Sequence, residues 1–245
     1  MSRTLAVIPV RGAMRTKTRL APLFGAGARV CLVRHMLLHV LDAIEQSGVV
    51  DHTLIVTRDP DAVPDQITES PSCTVAAQPG EGLNAAIELG RDRAVAGGYD
   101  QVLILLPDLP MLVPGDVGAL LAESAPVVIA ADRHGTGTNA LLLRLCGPGE
   151  RLQFAFGPRS AARHIAEIDR LGVRWTMVDT SGLRHDLDTP DDWQVFPEAV
   201  HRRLLECIVE PTAGGTSGGV DDDEVDECYA ARAVSPSCHA RASNG

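Results

Sequence analysis

Three aspartates and one lysine are the residues through which this chain could do chemistry. Asp108 stands in Leu106-Pro107-Asp108-Leu109-Pro110. A carboxylate held stiffly between two prolines suits a hard cation such as Mg²⁺, which takes one or two carboxylates plus substrate phosphates. A turn-capping aspartate is the plainer account. Asp186 and Asp188 lie two apart in Asp186-Leu187-Asp188-Thr189-Pro190-Asp191-Asp192. In extended backbone, residues two apart share a face, so this pair could complete a metal site. Thr-Pro followed by acids is also how a helix begins, and capping accounts for Thr189, Asp191 and Asp192 but not for Asp186.

The lysine belongs to a basic loop. The run Ala6-Val7-Ile8-Pro9-Val10 opens directly into Arg11-Gly12-Ala13-Met14-Arg15-Thr16-Lys17-Thr18-Arg19. At the carboxyl end of a first strand, Gly12 with Arg11, Arg15, Lys17 and Arg19 offers a triphosphate a permissive backbone and several positive charges. Lys17 is the only lysine; the other 21 of the 22 basic residues are arginine. A compact ammonium does a different job on phosphate oxygens from a planar guanidinium. A solvated basic loop is the competing reading.

Two further segments could cradle an anion. Asp132-Arg133-His134-Gly135-Thr136-Gly137-Thr138-Asn139 interleaves glycines with hydroxyl donors. It also fits GxGxxA, but that dinucleotide fingerprint needs a following helix, and Ala140-Leu141-Leu142-Leu143-Arg144-Leu145 reads at least as well as strand. Phe156-Gly157-Pro158-Arg159-Ser160-Ala161-Ala162-Arg163-His164 marks a helix start, where free N–H groups and the dipole attract anions. Ser160 as a simple N-cap is equally good. Asn84, in Glu81-Gly82-Leu83-Asn84, is either a polar first-turn residue or a reader of a purine edge.

The elements that must position these residues alternate. Strands are expected at 5–10, 52–57, 74–77, 101–106, 127–131, 140–145 and 173–178. Helices are expected at 29–46, 83–96, 116–123, 159–171 and 191–204. Repeated β-α units with continuous apolar strands predict an α/β fold, a mostly parallel sheet covered on both faces. Ligand loops in such a sheet lie past the strands' carboxyl ends, where every segment above falls.

The 245 residues are 45% hydrophobic, enough for one full-sized core. Net charge is -10, and beyond Leu204 eight carboxylates against Arg232 and Arg241 account for -6 of it. That segment has no apolar periodicity, so residues 1–204 are expected to form the domain and 205–245 an acidic, disordered tail. With no basic face, nucleic acid is not an expected partner. The longest apolar runs are strand-sized, which argues against a membrane span. Six scattered cysteines without a CxxC pair read as reduced thiols. A strand begins within five residues, leaving no room for a cleaved leader, so a cytoplasmic location is expected.

The order PVRG…TKTRLAP, GLNAAI, LLPDLPML, ADRHGTGTNALLL, FGPRSAARH and DLDTPDDW resembles the small guanylyltransferases of deazaflavin (coenzyme F-420) biosynthesis, relatives of the molybdopterin-guanine-dinucleotide nucleotidyltransferases. The resemblance covers about residues 5–200. It implies a single three-layer, Rossmann-like, GT-A-like nucleotidyltransferase domain. It implies GTP and a phosphorylated three-carbon acid as substrates, either phosphoenolpyruvate or 2-phospho-L-lactate, with Mg²⁺ as cofactor and room for a homodimer. By the same resemblance Thr138, Gly157 and Ser160 would hold the acceptor acid, and Asp108, Asp186 and Asp188 the metal. Arg11, Gly12 and Lys17 would bind the triphosphate, Asn84 the guanine, and Lys17, Arg19 and Asp108 would be catalytic. One departure is Pro-Val-Arg where the family often has Pro-Val-Lys, so Arg11 keeps the charge but not the geometry.

Three rivals stand beside this reading. A nucleotidyltransferase of another acceptor would share the basic loop and the DLP motif, but would have no reason for the GTGTN and FGPRS pair. An oxidoreductase would need its glycine fingerprint after the first strand. A non-catalytic nucleotide binder would be free to lose a metal carboxylate, and all three are present here.

Overall fold

The computed structural model describes residues 2–10, 17–60, 63–78 and 80–209. Seven strands form one sheet in the order β3-β2-β1-β4-β6-β5-β7. They are β1 (Thr4–Val10), β2 (His52–Thr57), β3 (Cys73–Ala77), β4 (Gln101–Leu105), β5 (Val127–Ala131), β6 (Thr138–Arg144) and β7 (Trp175–Met177). All pairings are parallel except those of β6, which runs antiparallel to β4 and β5. The start of β6 therefore lies at the same sheet edge as the carboxyl ends of its neighbours. That the segment after GxGxx is a strand removes the dinucleotide fingerprint.

Helices cover both faces. On one side α1 (Ala26–Ser47), α4 (Pro114–Ala122) and the short α6 (Ser181–Arg184) pack on Ala6, Ile8, Leu103, Leu105, Ala140 and Leu142. On the other, α3 (Leu83–Ala96) and α5 (Ser160–Leu171) pack on Leu5, Val7, Val102, Ile104, Leu141 and Leu143. The strict alternation along β1 and β4 follows from successive side chains pointing to opposite faces, and both faces are apolar because both are covered. Helix α3 approaches the sheet closely at Gly90, where a Cβ would collide with the Val7 side chain.

The final helical region departs from expectation. Where one helix is predicted over 191–204, there are two, α7 (Pro190–Val195) and α8 (Glu198–Val209). Phe196 is extended, with φ -72° and ψ 144°, because the ring of Pro197 disfavours helical backbone in the residue before it. Helix α8 runs to Val209, so residues 205–209, expected to belong to the tail, are helical; residues 210–245 lie outside the described residues. A four-residue helix, α2 (Asp65–Thr68), also has too few residues to show periodicity. No described helix is long and apolar enough to cross a membrane.

Candidate active site

The two Asp loops meet through the backbone. Asp108 follows β4, and its carbonyl accepts the Leu187 N–H at 3.0 Å, which places Asp186 and Asp188 beside it. One carboxylate oxygen from each of the three aspartates lies within 4.8 Å of the others. Leu109 and Leu112, both fully buried, anchor the first loop from below. Arg203 of α8 donates to the Pro110 carbonyl from behind.

Lys17 bridges this cluster. Its ammonium donates to Asp108 Oδ2 at 2.5 Å and to Asp188 Oδ1. Burial works against the lysine's charge, but the two carboxylates outweigh it and hold the pKa above the usual value. The residue adopts a left-handed backbone, φ 64°, an uncommon conformation for a side chain other than glycine. The expectation for Lys17 was a triphosphate contact; in this structure it neutralises two carboxylates.

Asp186 is left with the surplus charge. Burial first, then the negative charges of Asp108 and Asp188, push its carboxyl up to about 7, against the weaker opposing effects of the Asn139 amide and Lys17. Asp108 Oδ1 is buried without a hydrogen-bond partner among the described residues. An orphaned buried carboxylate oxygen beside two more carboxylates fits a hard divalent cation, which binds through oxygen ligands.

Asn139 is a site residue that reading the sequence missed. The β5–β6 register shifts so that Ala130 faces Ala140 while Ala131 faces Thr138, making Asn139 the extra residue of a bulge. Bulges re-aim side chains beside functional sites. Here the Asn139 amide donates to the Leu183 carbonyl at 2.9 Å and to Asp186 Oδ1 at 3.3 Å, on the α6 side. Its neighbour Thr138 turns to the opposite face and meets His164 of α5, Oγ1 to Nδ1 at 3.0 Å. In sequence only a polar residue opening a strand is visible.

The GTGTN loop is closed by its own aspartate. Asp132 Oδ1 accepts from the backbone N–H of His134 and Thr136, and Oδ2 from the Thr136 hydroxyl. Thr136 is therefore spent on the turn, and Thr138 remains the hydroxyl facing α5. At the start of α5, the Ser160 N–H bonds Gly157 O and the Ala161 N–H bonds Thr136 O, both at 3.1 Å. Two amides expected to be free for an anion are thus taken. The same bonds tie the GTGTN loop to the start of α5, the two segments that carry Thr138, Gly157 and Ser160. Gly157 has φ +123°, a backbone reserved for glycine, with open space where a Cβ would stand. Ser160 is buried as the first helical residue, preceded by Arg159 in left-handed conformation rather than acting as an N-cap itself.

Asn84 also turns out to face inward. Its Oδ1 accepts the Phe156 N–H at 2.8 Å, and its Nδ2 donates to the Phe156 carbonyl at 3.2 Å. The amide thereby pins the loop that carries Gly157. Asp192 performs the expected capping with Thr189 and also binds Arg133 Nε at 2.9 Å, tying the GTGTN loop to the DLD loop. Arg19 is exposed on a short 3₁₀ turn, Thr18–Leu20. Arg11 and Gly12 lie outside the described residues.

Comparison with known proteins converges on one group. The phosphoenolpyruvate guanylyltransferase of Sphaerobacter thermophilus is 37% identical over 191 residues, covering 77% of this chain and 90% of its own. The 2-phospho-L-lactate guanylyltransferase of Methanothermobacter thermautotrophicus is 33% identical over 222 residues, 86% of this chain and 95% of its own. A 3-phospho-D-glycerate guanylyltransferase of Phenylobacterium zucineum is 34% identical, covering 76% and 86%. In fold, the chain is similar to a crystal structure from Desulfovibrio desulfuricans G20 described as a nucleotide-diphospho-sugar transferase, with a TM-score of 0.67 at 20% identity over 85% of this chain and 97% of that one. The family described as guanylyl transferase CofC like matches residues 4–196, the whole sheet and both Asp loops, and the chain belongs to that family of nucleotidyltransferases.

Proposed function

We propose that the protein transfers the guanylyl group of GTP to phosphoenolpyruvate, forming enolpyruvyl-diphospho-guanosine and pyrophosphate. The observation that carries the reading is the joining of the two half-sites. Three carboxylates, one with an orphaned oxygen, are linked through Asn139 to its neighbour Thr138, which meets α5 on the opposite face, the side on which the acceptor acid is proposed to bind. Relatives named for phosphoenolpyruvate, 2-phospho-L-lactate and 3-phospho-D-glycerate all act on small phosphorylated acids. 2-Phospho-L-lactate is the alternative acceptor.

The acceptor's phosphate has a second pKa of about 6, so at neutral pH it attacks as a dianion and needs no general base. The reaction requires alignment of that oxygen with the α-phosphorus and relief of accumulating negative charge. Asp108, Asp186 and Asp188 would hold Mg²⁺. Bound there, the ion supplies charge neutralisation at the transferring phosphate. Thr138, Gly157 and Ser160 orient the acceptor acid, with Asn84 fixing the loop behind Gly157. Lys17, released from the carboxylates, stabilises the departing pyrophosphate together with Arg11, Gly12 and Arg19.

The test is pyrophosphate release from GTP and Mg²⁺ with phosphoenolpyruvate, 2-phospho-L-lactate and 3-phospho-D-glycerate offered in parallel. A kcat/KM highest for phosphoenolpyruvate supports the reading. A higher value for either other acid replaces the acceptor, and no turnover with any of them from folded protein overturns it.

A further inference from the structure

We infer that His164 is a positioning residue that fixes the Thr138 hydroxyl as a hydrogen-bond donor toward the anionic acceptor acid, an inference that rests on the acceptor-site reading above. His164 is fully buried on α5, under the edge of Phe156 at 4.8 Å between ring centroids. Both ring nitrogens are engaged. The Ala155 backbone N–H points at Nε2 from 3.0 Å. A backbone N–H can only donate, so Nε2 must present its lone pair, and in the neutral ring the single proton sits on Nδ1. Burial and the neighbouring Arg163 push the His164 pKa down to about 4, which keeps the ring neutral at physiological pH.

The consequence falls on Thr138. Nδ1–H lies 3.0 Å from its Oγ1, so the hydroxyl accepts from the ring and cannot donate back to it. Its own proton must go elsewhere, and among the described residues no acceptor is found for it. A buried hydroxyl whose proton has no protein partner calls for an external one. A phosphate or carboxylate oxygen is a pure acceptor and suits it. The tautomer, set by one main-chain amide, thus reaches the ligand through two side chains, much as outer hydrogen bonds orient metal-binding histidines.

The test compares steady-state constants of the full chain for His164→Asn, His164→Gln, Thr138→Val and the doubles of Thr138→Val with each. An Asn amide can place an N–H where Nδ1–H was; a Gln amide reaches the Nε2 position instead. Thr138→Val and His164→Gln should each raise the KM for the acceptor acid roughly 10- to 100-fold, the loss of one hydrogen bond to a charged group. The KM for GTP should stay within about twofold, and His164→Asn should recover most of the acceptor KM. The Thr138→Val/His164→Gln double should be no worse than Thr138→Val alone. Equal damage from Asn and Gln, additive effects in the double, or a matching rise in the GTP KM would overturn the positioning role. An unchanged acceptor KM in Thr138→Val would instead remove the acceptor-site reading itself. Should the Gln variant fail to fold, His164→Asn decides alone: an acceptor KM near that of the wild type supports the positioning role, and one raised as far as in Thr138→Val overturns it.

Discussion

Replacing Asp186 by asparagine should stabilise the metal-free protein, and by more at high pH than at low. Burial and the charges of Asp108 and Asp188 raise this carboxyl from 3.8 to about 7. In the unfolded chain it titrates near 3.8, so between these values the folded state binds the additional proton. The contribution of the group is full below the unfolded value and is lost as pH rises through the folded one. From pH 5 to pH 7 that amounts to about 2 kcal/mol, at about 1.4 kcal/mol per pH unit falling to half that slope at the folded value. The asparagine carries no charge and keeps an amide oxygen for the Asn139 donor 3.3 Å away. A domain of this size shifts its Tm by about 2–4 °C per kcal/mol, so the melting advantage of Asp186→Asn should widen by about 5–10 °C between pH 5 and pH 8.

The assay is paired thermal melts of wild type and variant in chelator across that range. Taking the difference cancels every titration the two share. Added Mg²⁺ should then raise the Tm of the wild type, most at pH 8, and leave the variant nearly unmoved. A difference that stays flat with pH would refute mutual repulsion in the cluster. A variant melting below wild type at pH 8 would show that the pairing with Lys17 outweighs it.

Other positions offer independent checks. Asn84→Ala removes both ties to the Phe156 backbone and should raise the acceptor KM about tenfold with the GTP KM unchanged; the reverse pattern in kinetics would restore Asn84 to the guanine. Gly90→Ala should lower stability by about 1–3 kcal/mol in denaturant melts, because the new methyl meets Val7 and the collision exceeds the gain of about 1 kcal/mol in helix propensity. Asp192→Asn turns an N–H₂ toward either Arg133 or the Asp188 and Thr189 amides, and should cost about 1–3 kcal/mol while weakening Mg²⁺ binding measured by calorimetry.

Strands and ligand loops were legible in the residues because their signals are local. His52–Thr57, Leu83–Ala96 and Val127–Ala131 follow from unbroken apolar runs or helical spacing, and Gly48 and Gly97 close their helices as expected. The break at Phe196-Pro197 was legible too, in the proline, but the apolar spacing of 191–204 masked it. What the residues could not reveal is long-range pairing. Lys17 finds Asp188 across 171 positions and Asn84 finds Phe156 across 72. The bulge at Asn139 is set by register against β5, a property of two strands at once. For the same reason a histidine within a helix gave no hint that its tautomer is fixed by Ala155.

That bulge is where the two halves of the proposed chemistry become one. Were β6 paired without the bulge, Thr138 would share the face of Ala140, toward α6, and could not meet His164 on α5. With it, the assignment is exchanged: Thr138 faces α5 and the proposed acceptor side, and Asn139 faces the carboxylate cluster through Asp186. Asn139 is held further by the Leu106 N–H, which donates to its carbonyl at 3.0 Å from the end of β4, two residues before Asp108. An in-line attack gains its rate from fixed alignment of the reacting atoms. Two adjacent residues on one sheet strand, one bonded to α5 and the other to the DLD loop, would fix the proposed acceptor side relative to the carboxylates. Different acceptor acids can then be accommodated by changing the α5 side alone, leaving the carboxylates in register. The three relatives named for different phosphorylated acids are expected to differ there and to share the DLP and DLD loops.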